Sequence, residues 1–216
     1  MNMKHLRFFV SILVLTIFCL PAGAQLVRFN IGIEGGGLGT YMQTDPKITP
    51  GLNYGGYGGA NVEIRIGRVV GFFGEAIYSY ETGNQILETV ESSDGGVFVN
   101  LTRQYIHIPA GIQLWMGRAA LFQAGFQQSI LMSSTYTEDP DYSDPTVISP
   151  DAGAMKYYVS VMAGFKFNFG RVVYLNIKGS YGLSPAYVVR DSGAPVISAS
   201  VGLGFRLYSY RKSAFK

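Results

Sequence analysis

The chain of 216 residues is 48% hydrophobic and only 14% charged, and it contains 28 glycines, 15 tyrosines and one cysteine. A single cysteine excludes an internal disulfide, so packing or a membrane must hold an exported chain together. The formal net charge of +3 does not indicate a nucleic acid partner.

Residues 1–24 have the organisation of a secretory signal peptide. A basic start precedes an apolar run at 8–20, and small residues end at Ala24, where we expect cleavage. The apolar run is shorter than the roughly 20 residues that a membrane-spanning helix needs. Lipoprotein processing would use Cys19, but a bulky phenylalanine precedes it where a small residue is wanted. We therefore predict a signal peptide at 1–24 and one barrel domain at 25–216.

Strand periodicity runs through the remainder of the chain. Apolar and polar side chains alternate with period two in eight segments, the pattern of strands with one apolar face, and helical periodicity is missing. In the clearest pair, within 105–131, the turn at Met116-Gly117-Arg118 leaves room only for a tight hairpin. The segments lie at about residues 28–38, 57–66, 69–80, two within 105–131, and 155–168, 172–183 and 196–207.

The connections between these segments alternate in length. Short turns contain Gly67-Arg68, Gly117-Arg118 and Gly170-Arg171, and the long connections lie at about 39–56, 81–102, 132–154 and 184–195. All long loops therefore emerge at one end and both termini at the other, as in bacterial outer-membrane barrels with short periplasmic turns. Strands of about ten residues suit a tilted crossing of a bilayer. The sequence predicts an all-β fold, an eight-stranded antiparallel up-and-down transmembrane β-barrel.

The alternation alone leaves open which face points outward, since a lipocalin-like soluble barrel would turn its apolar face inward. Aromatic residues collect near both ends of the apolar faces, as in the interfacial girdles of membrane barrels. The polar faces carry charges in mid-strand, which favours a polar lumen plugged by ion pairs. These charges are Glu34, Glu63, Glu75, Arg65, Lys166, Lys178 and Arg206. We expect these lumen charges to pair, Glu63 and Glu75 among them, with Arg65 nearby. At Pro109 we expect a bulge or a missing hydrogen bond.

His107 is the only histidine after residue 24, and its parity places it in the lumen. A lipid hydrolase or transferase would need it near a nucleophile such as Ser129 or Ser160. No serine has the sequence context of a nucleophile elbow, so we predict no catalytic residue. One histidine without cysteine also disfavours a transition-metal site, and we predict no metal site and no cofactor.

The predicted long loops carry negative charge. Residues 137–145 contain four acids and no base, and binding of a cation there stays open, although the spacing is not that of an EF-hand. The second long loop contains Glu81, Glu88, Glu91 and Asp94, whereas each short turn carries an arginine. The charge is therefore segregated along the chain.

Two motifs resemble one known family. Tyr105-Ile106-His107-Ile108-Pro109 resembles the "Y-I-x-I-P" strand of the PorT-like outer-membrane β-barrel family. The segment from Lys178 to Leu183 is similar to its "Y-x-Y-G-L" penultimate strand, with Lys178 where an aromatic residue is common. The resemblance implies an eight-stranded barrel without known catalytic residues, and some members are linked to protein secretion. Such barrels often end on an aromatic residue, whereas this chain continues past Phe205 to Lys216.

These features predict a non-enzymatic protein of the outer membrane of a Gram-negative bacterium, in contact with outer-membrane lipids. We expect it to engage envelope or secretion proteins through its loops or its periplasmic face, and not nucleic acid. The alternatives are a lipid-modifying enzyme, for which His107 would be the base, and a small-molecule transporter.

Overall fold

The computed structural model describes residues 27–42, 52–87, 97–138, 155–185, 187–189 and 192–212. The predicted signal peptide lies outside these residues and stays a prediction. Every regular element in the described part of the chain is a β-strand. A helix that is long and apolar enough to span a membrane is not found within this part.

Ten strands follow one another in the described part of the chain. They are β1 (Val27–Met42), β2 (Leu52–Ile66), β3 (Val70–Leu87), β4 (Val97–Met116), β5 (Ala120–Glu138), β6 (Tyr157–Phe169), β7 (Val173–Gly182), β8 (Tyr187–Val189), β9 (Ser192–Ala194) and β10 (Val196–Lys212). Strands β8 and β9 form a separate small hairpin. The other eight form the barrel.

The barrel is closed in the order β1-β10-β7-β6-β5-β4-β3-β2, and every pair is antiparallel. The first and last strands close it, with Val27 opposite Lys212 and Met42 opposite Val196. Closure gives each strand a neighbour on both sides, which satisfies backbone groups without water. The predicted eight-stranded antiparallel barrel is confirmed.

Three tight turns define what we call the short-turn end of the barrel. Gly67, Gly117 and Gly170 have φ angles of 70°, 80° and 76°, a left-handed conformation that glycine adopts without steric cost. The opposite end, where the longer connections emerge, is the long-loop end. Glycine therefore permits the three tight turns that the glycine-arginine pairs in the sequence predict.

The strands extend further towards the long-loop end than the sequence predicts. β3 continues to Leu87 and β4 begins at Val97, so the predicted loop 81–102 was wrong over most of its length. The predicted loop 184–195 contains the β8–β9 hairpin. Polar residues such as Thr82 and Thr102 end the apolar alternation there, but the two still pair across β3 and β4. Backbone pairing outlasts the hydrophobic pattern.

Pro109 interrupts the sheet on one side, as predicted. The β3–β4 register is the same at Gly74 opposite Ala110 and at Ile77 opposite His107, but pairing is missing at Ile108 and Pro109 between them. Proline has no N–H to donate to the ladder, so hydrogen bonds are lost there without a bulge. Register shifts occur elsewhere, at Ile31/Gly32 between β1 and β10 and at Gln104/Tyr105 between β4 and β5.

The apolar face of the barrel points outward. Ile112 is 48% exposed and Phe126 62% exposed, whereas the inward-facing Gln113 and Gln123 are fully buried. The aromatic residues predicted to form the girdles are on the outside as well. They are Tyr78, Tyr80, Tyr157 and Tyr181 near the long-loop end, and Phe72, Phe167, Phe205 and the half-buried Phe122, which packs on the exposed Phe165, near the short-turn end. An apolar exterior around a polar interior is the surface of a membrane barrel and the reverse of a lipocalin.

Candidate functional site

The lumen collects the polar side chains of all eight barrel strands, because alternate residues of each strand point inward. Buried polar residues of the described chain include Asn30, Glu34, Asn61, Glu63, Glu75, Gln113, Gln123, Lys166, Asn176 and Lys178. Buried charges are costly unless they are paired, so their partners decide whether the lumen is open or closed.

Lys178 forms the first part of an ionic network. Its Nζ on β7 lies 2.7 Å from Glu34 Oε1 on β1 and also donates to Glu75 Oε2 on β3. Four steps around the barrel separate β7 from β3, so the ion pair with Glu75 joins opposite walls. Both carboxylates are fully buried and the lysine is 8% exposed.

Lys166 forms the second part of the network, nearer the short-turn end. Its Nζ on β6 lies 2.8 Å from Glu63 Oε1 on β2, again the opposite wall, and the two side chains are 0% and 1% exposed. Arg206 Nε lies 3.5 Å from Glu63 Oε2. Lys166 is also 3.9 Å from Glu34, which links the two parts. Three carboxylates thus face three cations.

Tyr174 fills the space between these charges and is fully buried. The ammonium of Lys166 lies 4.3 Å from its ring centroid, a cation–π contact. The amide of Asn61 donates to the Tyr174 hydroxyl, which donates to Glu34 Oε2 at 3.2 Å. Gly204 is the residue opposite Tyr174 on β10, and a Cβ there would overlap the ring. The glycine makes room for the tyrosine.

Glu63 and Glu75 each pair with a cation, as predicted. The expectation that Arg65 would lie with them was wrong. Arg65 sits near the short turn, with its guanidinium 4.3 Å from the ring centroid of Trp115, and it donates to the backbone carbonyl of Arg68. Lys166 and Lys178 reach these two carboxylates from strands on the opposite wall, which spacing along the sequence does not reveal.

His107 lies in a second polar cluster, towards the long-loop end. Ser79 Oγ is 2.9 Å from His107 Nε2 and donates to Glu81 Oε1 at 3.1 Å. Because the Ser79 hydroxyl has one proton and donates it to Glu81, the Nε2–H of His107 donates to Ser79 Oγ. His107 Nδ1 therefore accepts from Ser129 Oγ at 2.8 Å. Gln127 Nε2 donates to Ser129 Oγ at 3.3 Å. A continuous hydrogen-bonded chain results.

A cavity of about 40 Å³ lies beside this cluster, with room for about three water molecules. Its lining includes His107, Glu81, Tyr158, Lys178 and the hydroxyls of several serines. The cavity therefore extends from the histidine cluster to Lys178, at the edge of the ionic network.

The arrangement brings together the histidine and one of the two serines that the sequence suggested. Ser129 contacts His107, whereas Ser160 donates instead to the backbone oxygen of Gln127 at 3.4 Å. A hydrolytic triad needs a carboxylate on the imidazole nitrogen away from the nucleophile. Here Glu81 is 3.9 Å from Nε2 and bonds to Ser79 instead, and Ser129 is fully buried. The geometry favours a structural network.

Sequence reasoning placed Glu81 in an acidic loop, and this was wrong. Glu81 lies in β3, is 4% exposed and accepts from Thr40 Oγ1 at 2.8 Å. Glu81 lies an even number of residues after Glu75 and Ser79 on the same strand, so the alternation of β3 would have predicted an inward side chain. Glu88, Glu91 and Asp94 lie outside the described residues.

No three His, Cys, Asp or Glu side chains lie close enough to hold a metal ion in the part of the chain that the structure describes. Most of the acidic segment 137–145 lies outside that part, beyond the end of β5 at Glu138. Cation binding by this segment stays an open prediction.

Comparison with known proteins places the fold. The family of outer membrane protein beta-barrel domains matches residues 23–188. Neisserial surface protein A has a TM-score of 0.51 at 12% identity, covering 82% of this chain and 97% of its own. The attachment invasion locus protein Ail of Yersinia pestis has a TM-score of 0.43 at 14% identity, covering 84% of this chain and 99% of its own.

The outer membrane protein OprG from Pseudomonas aeruginosa has a TM-score of 0.42 at 9% identity, covering 87% of this chain and 97% of its own. The curated proteins contain no match to the chain. At such identities the likeness to Neisserial surface protein A concerns the fold alone, and function must be argued from the lumen and the surfaces.

Proposed function

Because the chain belongs to the family of outer membrane protein beta-barrel domains, we propose that it is a non-enzymatic barrel with a sealed lumen in the outer membrane of a Gram-negative bacterium. In this role it engages other envelope or secretion proteins through its loops or its periplasmic face. Residues 1–24 direct export and are removed after Ala24. The short-turn end faces the periplasm, as is usual for bacterial barrels.

The ion pair between Lys166 and Glu63 is the observation that carries this proposal. It crosses the barrel between opposite walls, and both side chains are almost completely removed from solvent. A transporter would have to break this pair and displace Tyr174 to open a path. Leaving either buried charge without its partner is strongly unfavourable. A sealed barrel that binds other proteins at its exposed ends is therefore favoured over a transporter.

The link to the PorT-like family, and through it to secretion, is the finer part of the proposal. Its support is the pair of motifs on β4 and β7. Lys178, the departure from the second motif, bonds to Glu34 and Glu75, so the lysine has a role in this chain that an aromatic residue would not fill.

A lipid-modifying enzyme is the second candidate, and the contact between Ser129 Oγ and His107 Nδ1 favours it. A serine that donates to an imidazole is the arrangement of an activated nucleophile. Burial of Ser129 and the small size of the adjacent cavity leave no room for an acyl chain. The non-enzymatic role is therefore the better supported of the two.

Purified, folded protein should show no steady conductance in planar lipid bilayers, because the Lys166–Glu63 pair and Tyr174 close the lumen. Heat-dependent mobility on gels verifies that the inserted protein is folded. A stable open channel of reproducible size would contradict the sealed lumen and favour the transporter.

A further inference from the structure

Arginines form a row across three neighbouring strands at the short-turn end. Arg28 on β1 pairs directly with Arg65 on β2 and with Arg211 on β10. Residues directly opposite one another share a face of the sheet. Arg28 and Arg65 therefore lie side by side on the inner face, at the mouth of the lumen.

Three further arginines surround this mouth. Arg68, Arg118 and Arg171 occupy the three tight turns and are exposed. Glu63, the carboxylate nearest along β2, is held by Lys166 and Arg206. Within the described ranges, no ion pair joins a carboxylate to Arg28 or Arg65. Among the described residues, the arginines at the mouth of the short-turn end thus form a positive surface without a carboxylate partner.

Like charges placed directly opposite one another on a sheet repel and destabilise it. In the ionic network, by contrast, Glu34, Glu63 and Glu75 are matched with Lys166, Lys178 and Arg206. Arg28 and Arg65 have no such carboxylate among the described ion pairs. Arg65 is also oriented, since its guanidinium lies 4.3 Å from the Trp115 ring centroid and bonds to the backbone of Arg68. Oriented guanidinium groups are well suited to bind carboxylates through paired hydrogen bonds.

We propose that the surface formed by Arg28, Arg65 and the turn arginines Arg68, Arg118 and Arg171 binds an acidic, Asp- and Glu-rich segment of a periplasmic protein. The proposal rests on the proposed function, in which the periplasmic face engages a partner, and it names the chemistry of that partner. Lipid phosphates surround the outside of the barrel and would reach only the turn arginines. Arg28 and Arg65 lie inside the ring of turns, so a ligand for both groups must cross the mouth from the periplasm.

The test uses the full barrel in nanodiscs of uncharged phosphatidylcholine. A short fluorescein-labelled peptide of Glu, Asp and Gly is titrated, and fluorescence anisotropy reports binding. We expect saturable binding that weakens with added salt. The variant with Arg28→Gln and Arg65→Gln should bind about tenfold more weakly or worse, because charge-assisted hydrogen bonds are lost. Lys156→Gln, at the long-loop end, is the matched control and should leave binding unchanged.

Equal peptide affinity of the double variant and the unmodified protein would overturn the proposal. The proposal would also be overturned if only Arg68→Gln, Arg118→Gln and Arg171→Gln weakened peptide binding and phosphatidylglycerol in the nanodisc abolished it. Those arginines would then bind lipid headgroups. If the double variant fails to fold, Arg28→Gln alone decides, because Arg28 has no partner in the described network to lose. Conductance tests the sealed barrel separately, so the two proposals fail independently.

Discussion

Lys166→Met should lower the free energy of unfolding by about 3–5 kcal/mol, the usual cost of breaking a buried ion pair. The substitution keeps an unbranched side chain, one atom shorter, but removes the charge 2.8 Å from Glu63 Oε1. Glu63 would keep Arg206 as its one ion-pair partner in the described network, at 3.5 Å, and a hydrogen bond from Asn30. Tyr174 would lose its cation–π contact with Lys166. Urea unfolding in detergent micelles, followed by heat-dependent gel mobility, measures the change.

Lys156→Met is the matched control, because Lys156 is exposed at the long-loop end. Its effect should stay within about 0.5 kcal/mol. The double variant Lys166→Met with Glu63→Gln should lose less than the sum of the single variants, by about 0.5–3 kcal/mol, because the carboxylate is no longer left unpaired. Equal effects of the two lysine substitutions would show that Lys166 is solvated and the lumen open.

Gly204→Ala should prevent stable folding or lower the free energy of unfolding by about 3 kcal/mol, the upper range for overpacking. An added Cβ would overlap the ring of Tyr174, which lies directly opposite on β7. The ring is held between Lys166 and Asn61, so it cannot move aside without breaking the network. The yield of heat-modifiable, folded barrel and its urea midpoint report the effect.

Gly74→Ala serves as the control for this substitution, because an added Cβ there would meet nothing within 4 Å. It should be neutral or stabilising by about 0.4–1 kcal/mol, since alanine restricts the unfolded chain more than glycine does. Combining Gly204→Ala with Tyr174→Ser should recover part of the loss by removing the overlap. If Gly204→Ala behaves like Gly74→Ala, Tyr174 does not occupy the space over Gly204.

The features that depend on local pattern could be read from the sequence. Alternation of Ile106, Ile108 and Ile112 with Tyr105 and His107 gave the correct face for each residue, because the side-chain period of a strand is two. The glycine-arginine pairs marked all three tight turns. The predicted strand boundary near Glu81 was wrong because polar residues occupy both faces of β3 beyond this point. The alternation of apolar and polar residues, which marks a strand in the sequence, is then lost.

The partners inside the lumen could not be predicted, because they depend on closure of the barrel. Lys166 and Glu63 are 103 residues apart and meet only because β6 and β2 stand on opposite walls. Arg65 has the same inward parity as Glu63 but contacts Trp115 instead. Parity shows which face a side chain occupies, whereas the register of all eight strands decides which charge it meets.

Cysteine labelling on intact cells tests the membrane topology, on which the whole account rests. Cys19 is the only cysteine and lies in the predicted signal peptide, so the unmodified protein is the background control. Ser92→Cys and Ser143→Cys probe the connections at the long-loop end, in segments outside the described residues, and Arg118→Cys probes the turn between β4 and β5. We predict that a membrane-impermeant thiol reagent labels the first two on intact cells and Arg118→Cys only after the outer membrane is opened. Labelling of Arg118→Cys alone on intact cells would reverse the orientation, and equal labelling of all three in a soluble fraction would contradict the membrane barrel.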